Sequence, residues 1–167
     1  KGYGVDQLAQ TLDDFGITAG LVGIDGEMRA IGLRSDGAPW SIAVEAPDPA
    51  RRAPNSILAL TDAAVATSGD YRHWVEVQGC RFSHTMDPSR GAPILRSPAS
   101  VTVVAQSCAE ADAWATALMV LGADRGAELA RKRGLNALFL LRDDDQPIRS
   151  LKVGALFSSE PSFTQGN

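Results

Sequence analysis

The run Arg81-Phe82-Ser83-His84-Thr85-Met86-Asp87-Pro88-Ser89-Arg90-Gly91-Ala92-Pro93 sets an imidazole and a carboxylate on either side of a turn that Pro88 and Gly91 dictate. With an ordinary pKa of about 6.5, His84 suits the work of a general base toward an incoming hydroxyl. Ser83 is its neighbour, but successive residues on an extended chain point to opposite faces, so Ser83, His84 and Asp87 do not read as a local nucleophilic triad. A second cluster, Ser107 to Leu118, carries Asp112 and Thr116 four residues apart on one face of a predicted helix, where their oxygens are expected to converge. Hard oxygens in that arrangement suit magnesium, which takes a few protein ligands and keeps waters or phosphate oxygens in its other positions. The other reading of Asp112 is a partner for the helix dipole near the first turn. The opening Lys1-Gly2-Tyr3-Gly4 combines a point charge with small residues that let backbone approach a phosphate or a ring, and it reads equally as a lead-in to a helix.

The remaining chemistry-bearing residues read as structural. Asp143, Asp144 and Asp145 are three mutually repelling carboxylates between two strand-like runs, a solvated turn. His73 and Trp74 sit in a β-prone run with no second nitrogen ligand in view. Trp114, inside an apolar helix, is expected to pack, with stacking on a flat ligand as the alternative. Cys80 and Cys108 are too few for a disulfide framework and are expected as free, buried thiols. A nucleophilic Cys108, activated at a helix start, is the minor alternative.

These groups must be positioned by a mixed set of elements. Val5, Leu8, Ala9, Leu12 and Phe15 recur at helical spacing, with Gly16 placed to end the helix. Leu21–Ile24, Met28–Leu33 and Trp40–Glu45 are β-prone runs separated by Asp25-Gly26 and Asp36-Gly37, two hairpin signals that together predict an antiparallel meander. Pro47, Pro49 and Pro54, with Arg51 and Arg52, mark an exposed loop. Ile57–Leu60, Ala63–Thr67 and Trp74–Val77 read as strands, and Gln78-Gly79 turns the chain back into Arg81-Phe82-Ser83. After a strand over Val101–Ala105, Ser107 and Glu110 form a capping box for the helix bearing Asp112, which Gly122 ends. A helix from Asp124 to Arg133 stops at Gly134, followed by strands over Ala137–Leu141 and Ile148–Val153 and a frayed tail after Ser158. The expected fold class is α+β, a mainly antiparallel sheet with two or three packed helices.

With 167 residues and 44% hydrophobic content the chain can bury a real core as one domain or one lobe. Sixteen basic against 20 acidic residues give a net charge of -4 with no basic block, which argues against nucleic acid as a partner. No stretch approaches the roughly 18 uninterrupted apolar residues of a membrane span, and no signal-like segment opens the sequence, so the chain itself is expected to be soluble.

In order and spacing, the Lys1-Gly2-Tyr3-Gly4-Val5-Asp6 opening, the Ser-His-x-x-Asp-Pro-x-x-Gly-x-Pro run and the Asp112-x-x-x-Thr116 pair resemble the C-terminal half of the ApbE family, the FAD:protein FMN transferases. Gly26-Glu27-Met28-Arg29 and Ala66 to Tyr71 match further family segments, either as pocket surroundings or as a strand edge and a hairpin connection. Arg90 stands where the family usually has threonine. The resemblance implies an ApbE-like lobe related to the T-fold, with residues 1–167 as the C-terminal part and the N-terminal half on a separate chain or lost. It implies His84 as the catalytic base, Lys1, Gly2, Thr85 and Met86 against FAD, and Asp112 and Thr116 on magnesium. A further main-chain ligand is expected just upstream of Lys1. The implied reaction moves FMN from FAD to a Thr or Ser hydroxyl of an acceptor flavoprotein and releases AMP. Two alternatives stay open, a magnesium-dependent FAD pyrophosphatase and a non-catalytic flavin-binding lobe. The implied setting is the periplasmic side of a bacterial inner membrane, with a lipoprotein anchor outside this sequence.

Overall fold

The computed structural model describes residues 1–48, 51, 53–70, 74–94, 98–142 and 147–158. His73, the Asp143–Asp145 triple and the tail beyond Ser158 lie outside the described residues. The chain opens with helix α1 (Gly2–Asp14), then β1 (Gly20–Ile24) and β2 (Glu27–Ile31), β3 (Trp40–Glu45) and β4 (Pro54–Leu60), and β5 (Ala64–Gly69). Three short pieces of hairpin follow in β6 (Trp74–Val77), β7 (Cys80–Ser83) and β8 (Met86–Asp87), with β9 (Ala92–Pro93) closing them. The second half runs β10 (Ser100–Ala105), α2 (Cys108–Leu121), α3 (Ala123–Arg133), β11 (Asn136–Leu141), β12 (Arg149–Val153) and α4 (Ala155–Ser158). The α+β expectation holds.

Six strands form one sheet in the order β1-β2-β5-β10-β11-β12, antiparallel at every pairing. Strands β10 and β11 contribute apolar residues to both faces, because alternate residues point to opposite sides. From β10 and β11, Val101, Val103, Ala137 and Phe139 face α2 and α3, where they meet Ala115, Leu118, Met119 and Ala130. Val104, Leu138 and Leu140 face the other way, onto Ile42 and Val44 of β3, Leu58 and Leu60 of β4, and Phe157 of α4. The result is three layers, with helices on one face of the sheet and the β3–β4 hairpin on the other. Trp114 packs at the margin of the helix-side core, as expected.

Several elements fall where the sequence puts them. Asp25 and Gly26 both have positive φ (51° and 100°), the backbone that a tight two-residue hairpin needs, and Ile24 pairs with Glu27 across it. Ser107 Oγ accepts the Glu110 N–H at 3.2 Å and starts α2.

The expected meander is corrected. β2 pairs with β5 (Met28 with Val65, Arg29 with Ala64), and β3 pairs with β4 in a separate two-stranded sheet. Asp36-Gly37 does turn the chain, but within a small loop closed by Arg34 N–H to Ala38 O at 2.9 Å, ahead of β3. The inward stripe of β3 and β4, Ile42 opposite Leu58, is then laid on the sheet's face instead of being added to its edge. Pro54 belongs to a strand and not to the loop, and as the first residue of β4 it has no ladder donor to lose. Of the apolar stripe on α1, Val5 and Ala9 are buried while Leu8 and Phe15 are exposed.

The helix layer is joined by an exchange of carboxylates. Asp6 of α1 accepts the first two N–H groups of α2, Cys108 at 2.9 Å and Ala109 at 2.8 Å, and is itself held by Arg29 Nη1 of β2 at 2.6 Å. Asp112 of α2 returns the contact, its Oδ2 accepting Gly2 N–H at 2.8 Å and the Lys1 nitrogen at 3.2 Å at the start of α1. Donors at a helix start have no partner within the helix, so each carboxylate satisfies two that would otherwise be orphaned. The helices cross so closely that a Cβ on Gly2 would run into the Cys108 carbonyl. Burial opposes ionisation of Asp6, but the Ala109 and Cys108 N–H groups and Arg29 outweigh it and hold its pKa below the ordinary value.

Asp6→Ala is expected to lower stability by about 2 kcal/mol in urea unfolding, the loss of a double cap and of an ion-pair partner. Because the folded pKa of Asp6 is depressed, its contribution is present above the unfolded value of about 3.9 and is lost as pH falls through the folded one. Asp6→Asn should therefore flatten the acid limb of the stability curve below about pH 5. An unchanged limb would assign the acid sensitivity to other carboxylates.

Candidate functional site

A cavity of about 920 Å³ opens where the start of α1, the β1–β2 turn, the end of β5, the β3–β4 hairpin and the middle of α2 meet. That volume is at the upper end of the range of about 300–1,000 Å³ common for small-molecule pockets. Lys1, His84, Thr85, Met86, Asp112 and Thr116, drawn from three separate stretches of sequence, all line it.

His84 follows the last residue of β7 and is exposed toward the cavity. The turn after it is built by Asp87, whose Oδ1 accepts both the Ser89 N–H at 2.9 Å and the Ser89 hydroxyl at 2.7 Å. The Asp87 carbonyl accepts the Gly91 N–H at 2.9 Å. Those bonds, the Ser89 hydroxyl first, lower the Asp87 pKa, and they fix Asp87 as the organiser of the turn. Ser83 Oγ accepts the Thr85 N–H at 3.2 Å, so it too serves local backbone. The two short strands after His84 pair Met86 with Pro93 and Asp87 with Ala92, a hairpin that presents Thr85 and Met86 to the cavity.

Asp112 and Thr116 lie one turn apart on α2 and face the same cavity, as their spacing predicts. Burial of Asp112 is opposed first by the Gly2 N–H that it accepts, and its pKa lies below the ordinary value. Its Oδ2 serves α1, which leaves Oδ1 for a ligand. Thr116 Oγ1 is 2.9 Å from Ser68 Oγ of β5. Among the described residues no group of three or more His, Cys, Asp and Glu side chains has metal-binding geometry, and on its α2 side the cavity offers the Asp112 carboxylate and the Thr116 and Ser68 hydroxyls as hard oxygens.

Lys1 Nζ bridges two carboxylates of the β1–β2 hairpin, Glu27 Oε1 at 3.1 Å and Asp25 Oδ2 at 3.3 Å. Burial pulls the Lys1 pKa down, but Glu27 and then Asp25 outweigh it and hold the amine above its ordinary value. Gly2, expected against the cofactor, is buried under the α1–α2 crossing, its N–H given to Asp112. The cavity reaches Glu27 and the Thr67-Ser68-Gly69 end of β5, so these segments are pocket surroundings, and Ser68-Gly69 is strand and not a hairpin connection. The wall made by Ile42, Ala43, Glu45 and Pro54 was not foreseen. The prolines around 47–54 marked a loop, and no local signal tells that a hairpin folds over the sheet.

A family model described as the ApbE family matches residues 1–139. The chain belongs to the ApbE family. It is 45% identical over 145 residues to the FAD:protein FMN transferase of Vibrio cholerae, covering 87% of this chain and 43% of that protein. Its identity to the Escherichia coli K12 protein of the same name is 37%, over 87% of this chain and 41% of that one. Among solved structures, the apo form of the Pseudomonas stutzeri flavinyl transferase ApbE superposes with a TM-score of 0.81 at 42% identity, over 95% of this chain and 50% of that one. The chain therefore spans about half the length of these relatives, or somewhat less.

Cys108 is a free, buried thiol at the α1–α2 crossing, without the surroundings that activate a nucleophile. Burial first, then the carboxylates of Asp6, Glu27 and Asp112, push its thiol up to about 12. At pH 8 the thiol is therefore protonated and unreactive. Iodoacetamide at that pH should leave Cys108 unmodified in the native protein and alkylate it in denaturant, as peptide mass mapping would read. Rapid native labelling would mean that the α1–α2 crossing opens.

Proposed function

We propose that this chain is the C-terminal lobe of an enzyme that transfers FMN from FAD to a Thr or Ser hydroxyl of an acceptor flavoprotein and releases AMP. One observation carries the reading: His84, Asp112, Thr116 and Lys1, whose types suit base, cation ligands and cofactor anchor, share one cavity of a size that suits part of a dinucleotide. The names of the relatives support it. Their greater length supports an upstream half that completes the pocket.

In this reading His84, facing solvent and the cavity, accepts the proton of the incoming hydroxyl. The hydroxyl oxygen forms a bond to the FMN phosphorus as the bond from that phosphorus to the bridging oxygen breaks, and AMP departs with that oxygen. The donor set suits magnesium, since an ionised carboxylate with a free oxygen and a hydroxyl one turn away are hard ligands, and magnesium accepts substrate phosphates and water for the rest. Bound there by Asp112 and Thr116, it would neutralise charge on the diphosphate. Thr85 and Met86, which line the cavity beside His84, would border the flavin nucleotide.

In the full-length enzyme, His84→Ala is expected to slow flavinylation of an acceptor peptide by about a hundred- to ten-thousandfold while FAD affinity changes little. Asp112→Ala should abolish the response to magnesium. Free FMN and AMP without labelled acceptor would identify a pyrophosphatase instead. Parent-rate transfer by the His84 variant would assign His84 to the Asp87 turn alone.

A further inference from the structure

A hydroxyl has one proton and two lone pairs, and as a cation ligand it offers a lone pair and must place the proton elsewhere. Within a helix the usual place is the carbonyl four residues back, which is how Thr11 of α1 bonds Gln7 O at 2.8 Å. Thr116 of α2 instead reaches across to β5, where its Oγ1 lies 2.9 Å from Ser68 Oγ. Ser68 is held there from two directions. Its backbone is paired with Val101 of β10, and the preceding residue bonds through the opposite face, Thr67 Oγ1 to the buried Thr102 Oγ1 at 2.8 Å. Ala111 and Ala115 of α2 and Ala64 and Ala66 of β5 are all buried and small, which lets helix and strand approach within reach of a one-carbon side chain. Either hydroxyl can donate in this pair. A cation on Thr116 Oγ1 would set the direction, because an oxygen that gives a lone pair to a cation becomes a stronger donor and a poorer acceptor.

We propose that Ser68 is a positioning residue for the cation site. It accepts the Thr116 proton and thereby leaves the Thr116 lone pairs to a cation in the cavity, beside the Asp112 oxygen that α1 does not use. Without that acceptor, the Thr116 proton turns to the Asp112 carbonyl or into the cavity, where it competes with the cation. Ser68 touches no reacting atom in this role and acts through Thr116 alone. The inference rests on the magnesium reading of the cavity, and it adds the residue on which the hydroxyl ligand depends.

The test counts free Mn2+, a stand-in for magnesium, by electron paramagnetic resonance during titration of the full-length enzyme with FAD and no acceptor. Ser68→Ala is expected to weaken Mn2+ binding by about tenfold, the low end of the effect of removing a metal ligand's partner. Ser68→Thr keeps the hydroxyl and should restore most of the affinity. In a Thr116→Val background the Ser68→Ala change should cost nothing further, since its only route to the cation is gone. Flavinylation by Ser68→Ala should need about ten times more magnesium to reach half its maximal rate. Where Ser68→Ala does not fold, Ser68→Cys serves in its place, because a thiol is a weak acceptor of nearly the same shape. Parent-like Mn2+ affinity in the Ser68 variant, or losses for Ser68→Ala and Thr116→Val that add in full, overturn the inference and leave the cation reading intact. A parent enzyme that binds no Mn2+ overturns both.

Discussion

Two helices that each lend the other a carboxylate set the geometry on which everything else in this chain depends. Asp6 closes the start of α2, and Asp112 closes the start of α1. Neither helix can shift without breaking both caps, and Gly2 at the crossing leaves no room for an alternative seat. Arg29 carries the constraint into β2, so the sheet's outer strands and the helix layer share one fixed point. That rigidity matters because Lys1 and Asp112 belong both to the cap and to the cavity wall.

The cavity is then a by-product of layering. Val101, Val103 and Phe139 hold α2 and α3 to one face, and Leu138 and Leu140 hold the β3–β4 hairpin to the other. The pocket opens where the hairpin's end passes the start of α1. Apart from Asp112 and Thr116 on the exposed face of α2, the chemistry-bearing residues occupy turns and the ends of elements around this opening. His84 follows a strand, Lys1 precedes a helix, and Ser68 lies next to the end of β5.

Much of this was legible in the sequence, for physical reasons that differ by element. Asp25-Gly26, Ser107 with Glu110, and Gly134 are local devices whose effect is decided within a few residues, and each falls where the sequence puts it. The pairing of Asp112 with Thr116 on one face follows from helix periodicity alone. The pairing of β2 with β5 was not legible, because Asp36-Gly37 signals a turn but not which strand lies on the other side of it. Nor was the role of Glu27. A glutamate after a Gly turn reads as a strand edge or as pocket surroundings, and its burial beside Lys1, 26 positions away, as an ion-pair partner is decided by tertiary packing. The meaning of Gly2 was hidden similarly, since its neighbour Cys108 is more than a hundred residues distant.

The carboxylate exchange also removes a means of holding phosphate that many nucleotide-binding folds rely on. In those folds the uncapped amides and positive dipole end of a helix cradle the anion. Here the starts of both α1 and α2, the two helices bordering the cavity, already face an internal carboxylate, so their amides and their field are neutralised from within. An anion entering the cavity would find no helical cradle at the start of α1 or α2. Compensation of its charge would fall to side chains and to any cation they hold, which makes anion binding here a separable function that these two helices do not supply.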